Sequence, residues 1–197
     1  MNSLLVTYIL QTEKWTFPEL FETKNRIYTF LNPVSYLIAL ENKSLFEQFD
    51  GIFADGSLLV SAIRLVYGKR VTRRSFDMTS LAPELLNYLM ESRKTLYIVA
   101  SGQEQVECSV RIFQEQYPEL RIAGFRNGYF SSDAEMNKEA SHIVELNPDF
   151  LIVGMGALMQ EKFLLKVKKM GYQGIGFTCG GFVHQTAMNR MHYYPNW

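Results

Sequence analysis

NPDFLIVGMGALMQEK (residues 147–162) places a continuous apolar run, a glycine corner and a polar helix start within one short segment. Phe150, Leu151, Ile152 and Val153 are apolar without alternation, as a parallel strand covered on both faces requires. Gly154 and Gly156 then let the chain turn sharply and approach a neighbour closely. From Ala157 the spacing becomes helical, with Leu158, Phe163, Leu164 and Val167 on one face, Lys166, Lys168 and Lys169 near the end, and Gly171 as the expected C-cap. A strand running into a helix through glycines puts the helix N-terminus above the strand end, where it favours an anion.

The pattern repeats outward from this segment. Short apolar runs at 27–31, 51–54, 95–100, 121–125 and 174–177 are expected strands, and amphipathic stretches fill most of the gaps. The expectation is an α/β fold with a mostly parallel sheet of about six strands and a single domain over residues 1–197. Asn32-Pro33, Ala54-Asp55-Gly56, Ser101-Gly102 and Gly154-Met155-Gly156 close four of the strands, so polar and glycine residues gather at carboxyl ends, where open α/β sheets bind ligands. Ser132 and Glu135 have capping-box spacing for a helix leading to His142, and Tyr117-Pro118 marks a turn. In the first 25 residues, Leu4 to Leu10 read as an edge strand and the surroundings of Trp15 and Pro18 as irregular.

Bulk composition removes several classes of function. Twenty Lys and Arg balance twenty Asp and Glu with no long block of either sign, which disfavours a phosphate-dominated nucleic-acid binder. Two cysteines, Cys108 and Cys179, and no signal-peptide pattern fit a reducing, cytoplasmic setting and argue against zinc. No apolar run approaches the roughly 20 residues that span a bilayer, so membrane contact is expected to be peripheral. No G-x-G-x-x-G follows a strand, because Met159 and Cys179 stand where the third glycine belongs after Gly154-Met155-Gly156 and Gly174-Ile175-Gly176. A Walker A loop, a G-x-S-x-G elbow and an Asp-x-Asp pair are also lacking.

Each candidate site residue has a structural and a functional reading. Asp55 follows one strand run and precedes a helical pattern of Leu58, Leu59, Ala62, Ile63 and Val66; Asp55 or Ser57 can cap that helix, or Asp55 can accept a proton from a hydroxyl at a ligand-facing strand end. Arg70, Arg73 and Arg74 form a solvated loop or a diphosphate clamp, with Asp77 or Thr79 expected to cap the helix that contains Pro83. Gln160 and Glu161 either complement a helix dipole or bond a sugar hydroxyl. Asn127-Gly128-Tyr129-Phe130 reads as a turn, and His184 and His192 lack the companions of a metal site.

Four ordered blocks resemble the WecG/TagA/CpsF family of bacterial glycosyltransferases: Phe53-Ala54-Asp55-Gly56, Arg73-Arg74-Ser75-Phe76-Asp77-Met78, Asn127-Gly128-Tyr129-Phe130, and Pro148 to Gly156 with Gln160-Glu161. Gly174-Ile175-Gly176 and Tyr194-Pro195-Asn196-Trp197 extend the match, which covers residues 26–197. The resemblance implies a Rossmann-like, three-layer α/β/α enzyme that moves a sugar, N-acetylmannosamine-type or a related hexose, from a UDP-sugar to a polyprenyl-diphosphate-linked glycan. It further implies inversion, no metal or other cofactor, and a role in cell-envelope or capsular polysaccharide synthesis at the inner membrane face, with no nucleic acid among the partners and self-association left open. Carried over by position, Asp55 is the catalytic base and Thr29 the second catalytic candidate, standing one position from the family's threonine where this chain has Phe30. Asn32, Arg73, Arg74, Asn127, Gly154, Gly156, Gln160 and Glu161 are the substrate-binding candidates. Leu158-Met159 and Ser75-Phe76 depart from the family's proline and glycine. The family's basic C-terminal appendage, expected to attach the full-length protein to the membrane surface, is not present before Trp197. A non-catalytic nucleotide-sugar-binding or scaffolding subunit is the alternative, and a nicotinamide-dependent oxidoreductase is the weakest reading.

Overall fold

The computed structural model describes residues 4–189, so His192 and the Tyr194-Pro195-Asn196-Trp197 element lie outside the described residues. In chain order the elements are α1 (Leu4–Thr12), α2 (Phe17–Glu22), β1 (Arg26–Leu31), α3 (Pro33–Glu41), α4 (Lys43–Phe46), β2 (Gly51–Ala54), α5 (Ser57–Tyr67), α6 (Leu81–Ser92), β3 (Thr95–Ala100), α7 (Gln103–Gln116), β4 (Arg121–Arg126), α8 (Asp133–Leu146), β5 (Phe150–Gly154), α9 (Met159–Lys169), β6 (Ile175–Thr178) and α10 (Phe182–Asn189). The six strands form one sheet in the order β2-β1-β6-β5-β3-β4, and every pairing is parallel.

Side chains alternate across the sheet as the strand period of two demands. One face carries Ile27, Leu31, Ile52, Val99, Leu151 and Val153 against α1, α3, α5, α8 and α9. The other carries Tyr28, Phe30, Phe53, Ile98, Phe150, Ile152 and Phe177 against α2, α6, α7 and α10. The result is the expected three-layer α/β/α arrangement. The second face is notably aromatic: the Phe150 and Phe177 rings stack nearly parallel at 6.4 Å, and Phe76 bridges Phe30, Phe177 and Phe182 at 6.0, 5.8 and 5.3 Å. Because Phe76 belongs to the arginine-rich loop, this packing ties that loop to the sheet.

The N-terminal segment departs from expectation. Residues read as an edge strand form α1, which lies over the true edge strand β2, with Leu5, Val6 and Ile9 buried in the core. The Thr12 hydroxyl donates to the Ile52 carbonyl at 2.9 Å and fixes the helix to that strand. A short unbroken apolar run fits either element, and only the packing partner decides. The irregular stretch contains α2, begun by a Thr16/Glu19 pair in which Glu19 accepts the Thr16 N–H at 2.6 Å. Among the described residues no helix is long and apolar enough to cross a membrane.

Chain direction locates the ligand crevice. From β3 the chain moves outward to β4, whereas from β5 it moves the opposite way to β6, so the sheet splits its crossovers between β3 and β5. Open α/β sheets leave a crevice at the carboxyl ends there.

Candidate functional site

A cleft of about 1100 Å³ opens at those carboxyl ends. Asn32 follows β1, Asp55 follows β2, Ser101 follows β3, Gly154 ends β5, and Cys179 follows β6; all five line it. Three loops are stitched together beneath it: Ser101 N–H donates to Gly154 O at 3.0 Å and Gly128 N–H to Ser101 O at 2.8 Å. Gly154 is required by close approach, since a Cβ there would fall 2.6 Å from Gly180 O. Gly156 is required by its backbone, at φ +82°. Leu158 nevertheless adopts φ +72°, a strained value for a branched residue, just before α9 begins at Met159 rather than at Ala157.

One wall is ionic. Asp55 continues the β1–β2 pairing by donating its N–H to Leu31 O at 2.8 Å, and Gly56, at φ +88°, turns the chain into α5. Gly56 occupies the N-cap position and no side chain caps the helix, so the capping reading fails for both Asp55 and Ser57. The Asp55 carboxylate, about one-third exposed, has Arg73 at 3.9 Å. Burial pushes its pKa up, Arg73 opposes that and Asp77 adds to it, with a net rise.

Arg73 and Arg74, adjacent in sequence, go to different places. Arg74 N–H bonds Ala54 O at 2.9 Å, which docks the loop on the end of β2. The Arg74 guanidinium then turns away from the cleft, over Phe17 and Phe53 at 5.6 and 5.5 Å, and donates to the Thr12 and Glu13 carbonyls. Arg73 faces the cleft and is held by Asp77 at 2.6 Å and by Thr79 at 3.1 Å. Asp77 does not cap α6, whose N-cap position is Ser80; it accepts the Thr79 N–H and hydroxyl and the Ser75 hydroxyl at 2.7, 2.6 and 2.7 Å. Thr79 does not cap that helix either. Burial raises the Asp77 pKa, but the Thr79 and Ser75 hydrogen bonds and the Arg73 charge outweigh it, so the carboxyl lies below its ordinary range.

The opposite wall is buried and neutral in its contacts. Glu161 is fully buried and accepts from the Thr29 hydroxyl at 2.9 Å, from the Gln160 amide at 3.0 Å and from the Leu158 N–H at 2.7 Å. Thr178 donates to Thr29 at 2.9 Å, and Gln160 Oε1 accepts the Gly180 N–H at 3.1 Å. A continuous chain of hydrogen bonds thus joins β1, β6, the α9 start and the loop after β6. The expected anion site at the α9 N-terminus already holds a carboxylate, that of Glu161. Glu161 and Thr29 lie behind the cleft wall, while Gln160 lines it. Burial drives the Glu161 pKa up, and the hydrogen bonds from Gln160 and Thr29 only partly offset this.

Asn32 lines the cleft, with Oδ1 accepting the Val34 and Ser35 N–H groups as the α3 cap. Asn127 sits outside the lining: its side chain accepts the Tyr129 N–H at 2.9 Å and donates to Gln103 at 3.0 Å, which presents Gly128, Tyr129 and Phe130 to the cleft. The structure also brings in Ser35, Ser101, His184 and Gln185, to which the sequence reading assigned no ligand role. His184 Nδ1 is 3.5 Å from the Ser101 hydroxyl. Ser101, at φ +55° beside Gly102, carried a detectable signal as a strand-end residue; His184 reaches the cleft because α10 packs along α7, with the Ser109 hydroxyl on the Val183 carbonyl and Phe113 stacked on Phe182.

The model of the Glycosyl transferase WecG/TagA/CpsF family matches residues 11–197. Over 169 residues the chain is 33% identical to a UDP-Gal:alpha-D-GlcNAc-diphosphoundecaprenol beta-1,4-galactosyltransferase of Shigella boydii, covering 86% of this chain and 70% of that protein. It is 23% identical over 185 residues to an N-acetylglucosaminyldiphosphoundecaprenol N-acetyl-beta-D-mannosaminyltransferase of Bacillus subtilis, covering 92% of this chain and 69% of that protein. A protein of the same description from Staphylococcus aureus (strain NCTC 8325) is 25% identical over 146 residues, covering 73% and 56%.

Proposed function

From its membership of the WecG/TagA/CpsF family of glycosyltransferases, we propose that this chain transfers a hexose from a UDP-sugar to a saccharide carried on a polyprenyl diphosphate, with inversion and without a metal. It is a glycosyltransferase of cell-envelope polysaccharide synthesis, which sets aside the scaffolding and oxidoreductase readings. The relatives named above differ in donor sugar, and the greater identity to the galactosyltransferase favours galactose over N-acetylmannosamine.

The observation that carries the proposal is Asp55 at the cleft rim, uncommitted to any cap and facing Arg73. In the proposed step an acceptor hydroxyl gives its proton to the Asp55 carboxylate as its oxygen bonds to the anomeric carbon. The bond from that carbon to the diphosphate oxygen breaks, and UDP departs with the electron pair. Attack opposite the departing group inverts the centre. Burial, which raises the Asp55 pKa, makes it a stronger base than an exposed aspartate. Arg73 would meet the growing charge on the diphosphate with a preorganised cation. Arg73 takes that task in this reading because it lines the cleft beside Asp55. Gln160 and the main chain of residues 154–156 and 180–181 would contact the donor.

Calorimetry with UDP, followed by turnover with UDP-galactose and UDP-N-acetylmannosamine on a lipid-diphosphate N-acetylglucosamine acceptor in the presence of a chelator, tests this reading. UDP binding and chelator-resistant transfer are expected. A folded protein that ignores millimolar UDP would sink the donor assignment, and activity abolished by chelation would sink metal independence.

A further inference from the structure

The outer side of α5 is an apolar surface where a surface helix should be polar. Leu59 and Ile63 point inward and are buried. Leu58, Ala62, Leu65 and Val66 recur at the spacing of a second helical face, and Leu58, Leu65 and Val66 are 69%, 87% and 69% exposed. A helix that is apolar around most of its circumference is normally covered on both sides, and a contiguous exposed patch of this kind marks an interaction surface.

The charge around the patch identifies what covers it. Residues 56–76 contain Arg64, Lys69, Arg70, Arg73 and Arg74 and no acidic residue, in a chain whose charges balance overall. Arg73 and Arg74 are engaged in the cleft and the core, whereas Arg64, Lys69 and Arg70 are exposed on and just beyond the helix. A carboxylate does reach this stretch from α1's end: Glu13 accepts the Thr72 N–H at 2.8 Å. Exposed leucine and valine flanked by cations is the composition of a helix that lies in the interface of an anionic bilayer. A second copy packed about a twofold axis would set the same cations against themselves, which opposes a symmetric dimer on this face.

Position gives the patch a purpose. Gly56 and Ser57, at the start of α5, line the cleft, so the helix runs directly from the rim that holds Asp55. We propose that the outer face of α5, with Arg64, Lys69 and Arg70, docks on an anionic membrane surface and brings the cleft rim to a lipid-carried acceptor. This rests on the lipid-linked acceptor of the proposed function, but docking is measured without any substrate.

Co-sedimentation of the full chain with phosphatidylglycerol-containing and pure phosphatidylcholine vesicles tests it. Binding that prefers phosphatidylglycerol and weakens with salt is expected. Leu65→Gln with Val66→Gln should weaken it about tenfold or more, and Arg64→Gln with Lys69→Gln about tenfold with loss of the lipid preference. Both double variants should keep wild-type circular dichroism and UDP affinity. Vesicle binding unchanged in both variants overturns the proposal. So does a concentration-dependent dimer in ultracentrifugation that Leu65→Gln with Val66→Gln dissolves while no vesicle binding is seen. Intact docking with no UDP binding would leave the surface standing and remove the donor reading instead.

Discussion

The two walls of the cleft each hold a buried carboxylate with several hydrogen-bond donors, yet the two groups titrate in opposite directions. Asp77 is pushed up by burial and brought back below its ordinary range by Thr79, Ser75 and the Arg73 cation. Glu161 is pushed up by burial and stays up, because it is fully enclosed and the hydrogen bonds from Gln160, Thr29 and the Leu158 N–H only partly offset the burial. Deeper burial therefore separates the carboxylate that holds backbone in place from the one at the cleft that holds an arginine, with the Arg73 charge adding to that difference. On the ionic wall the ligand meets charge; on the other it meets Gln160 and main chain, positioned from behind.

Substitutions divide along that line. The largest effect is expected at Asp55: Asp55→Asn should lower transfer by about 10²–10⁴ while leaving UDP affinity near wild type. Its carboxylate must be ionised, so wild-type kcat/KM should fall with decreasing pH through a midpoint above the ordinary aspartate range, and the variant should lose that limb. Unaltered transfer by Asp55→Asn would move the base elsewhere. Arg73→Ala should weaken UDP binding by about 1.5–3 kcal/mol, the worth of a charged hydrogen bond, whereas Arg74→Ala should lower the thermal midpoint and leave UDP binding intact. Equal effects on UDP affinity would dissolve the distinction between the adjacent arginines.

Glu161→Gln replaces an all-acceptor group with one that brings donors toward donors, and a loss of about 1–3 kcal/mol of stability is expected, measured by urea unfolding. The pH dependence carries a sign. The folded-state pKa of Glu161 lies above its unfolded value, so its contribution favours folding at low pH and is lost as pH rises from the ordinary glutamate range through the raised value. The variant should lack that decline. Asp77 runs the other way, its contribution being present above the ordinary aspartate range and lost as pH falls through its lowered value. A variant with the same decline as wild type would show that Glu161 is not its source. The smallest effect belongs to Gly156→Ala, where φ +82° should cost about 1 kcal/mol, read as a modest drop in thermal midpoint.

The sheet was legible because its signal is local. Buried parallel strands are continuous apolar runs bounded by polar and glycine residues, and each of the six expected runs lies within one residue of a strand at both ends. The same local signal misled at α1, since an apolar run laid over a sheet edge resembles one paired within it. Asp77 was misassigned because its spacing to the next helix matches a cap, while its actual partners include Arg73, four residues back. His184 was missed because nothing in its neighbours records that α10 packs on α7 beside the cleft.

The residue pattern by itself determined the α/β class and the strand ends where polar groups gather, because strand burial, glycine turns and residue chemistry act over a few positions, while the grouping of Asp55, the arginine pair and Gln160-Glu161 came from the family resemblance. Only the tertiary structure decided which arginine faces the cleft, that Glu161 and Thr29 stand behind the wall, and that α5 leaves an apolar side uncovered. Those outcomes depend on which side chains from distant strands and helices share a space, and so on burial and charge fields that no spacing along the chain contains.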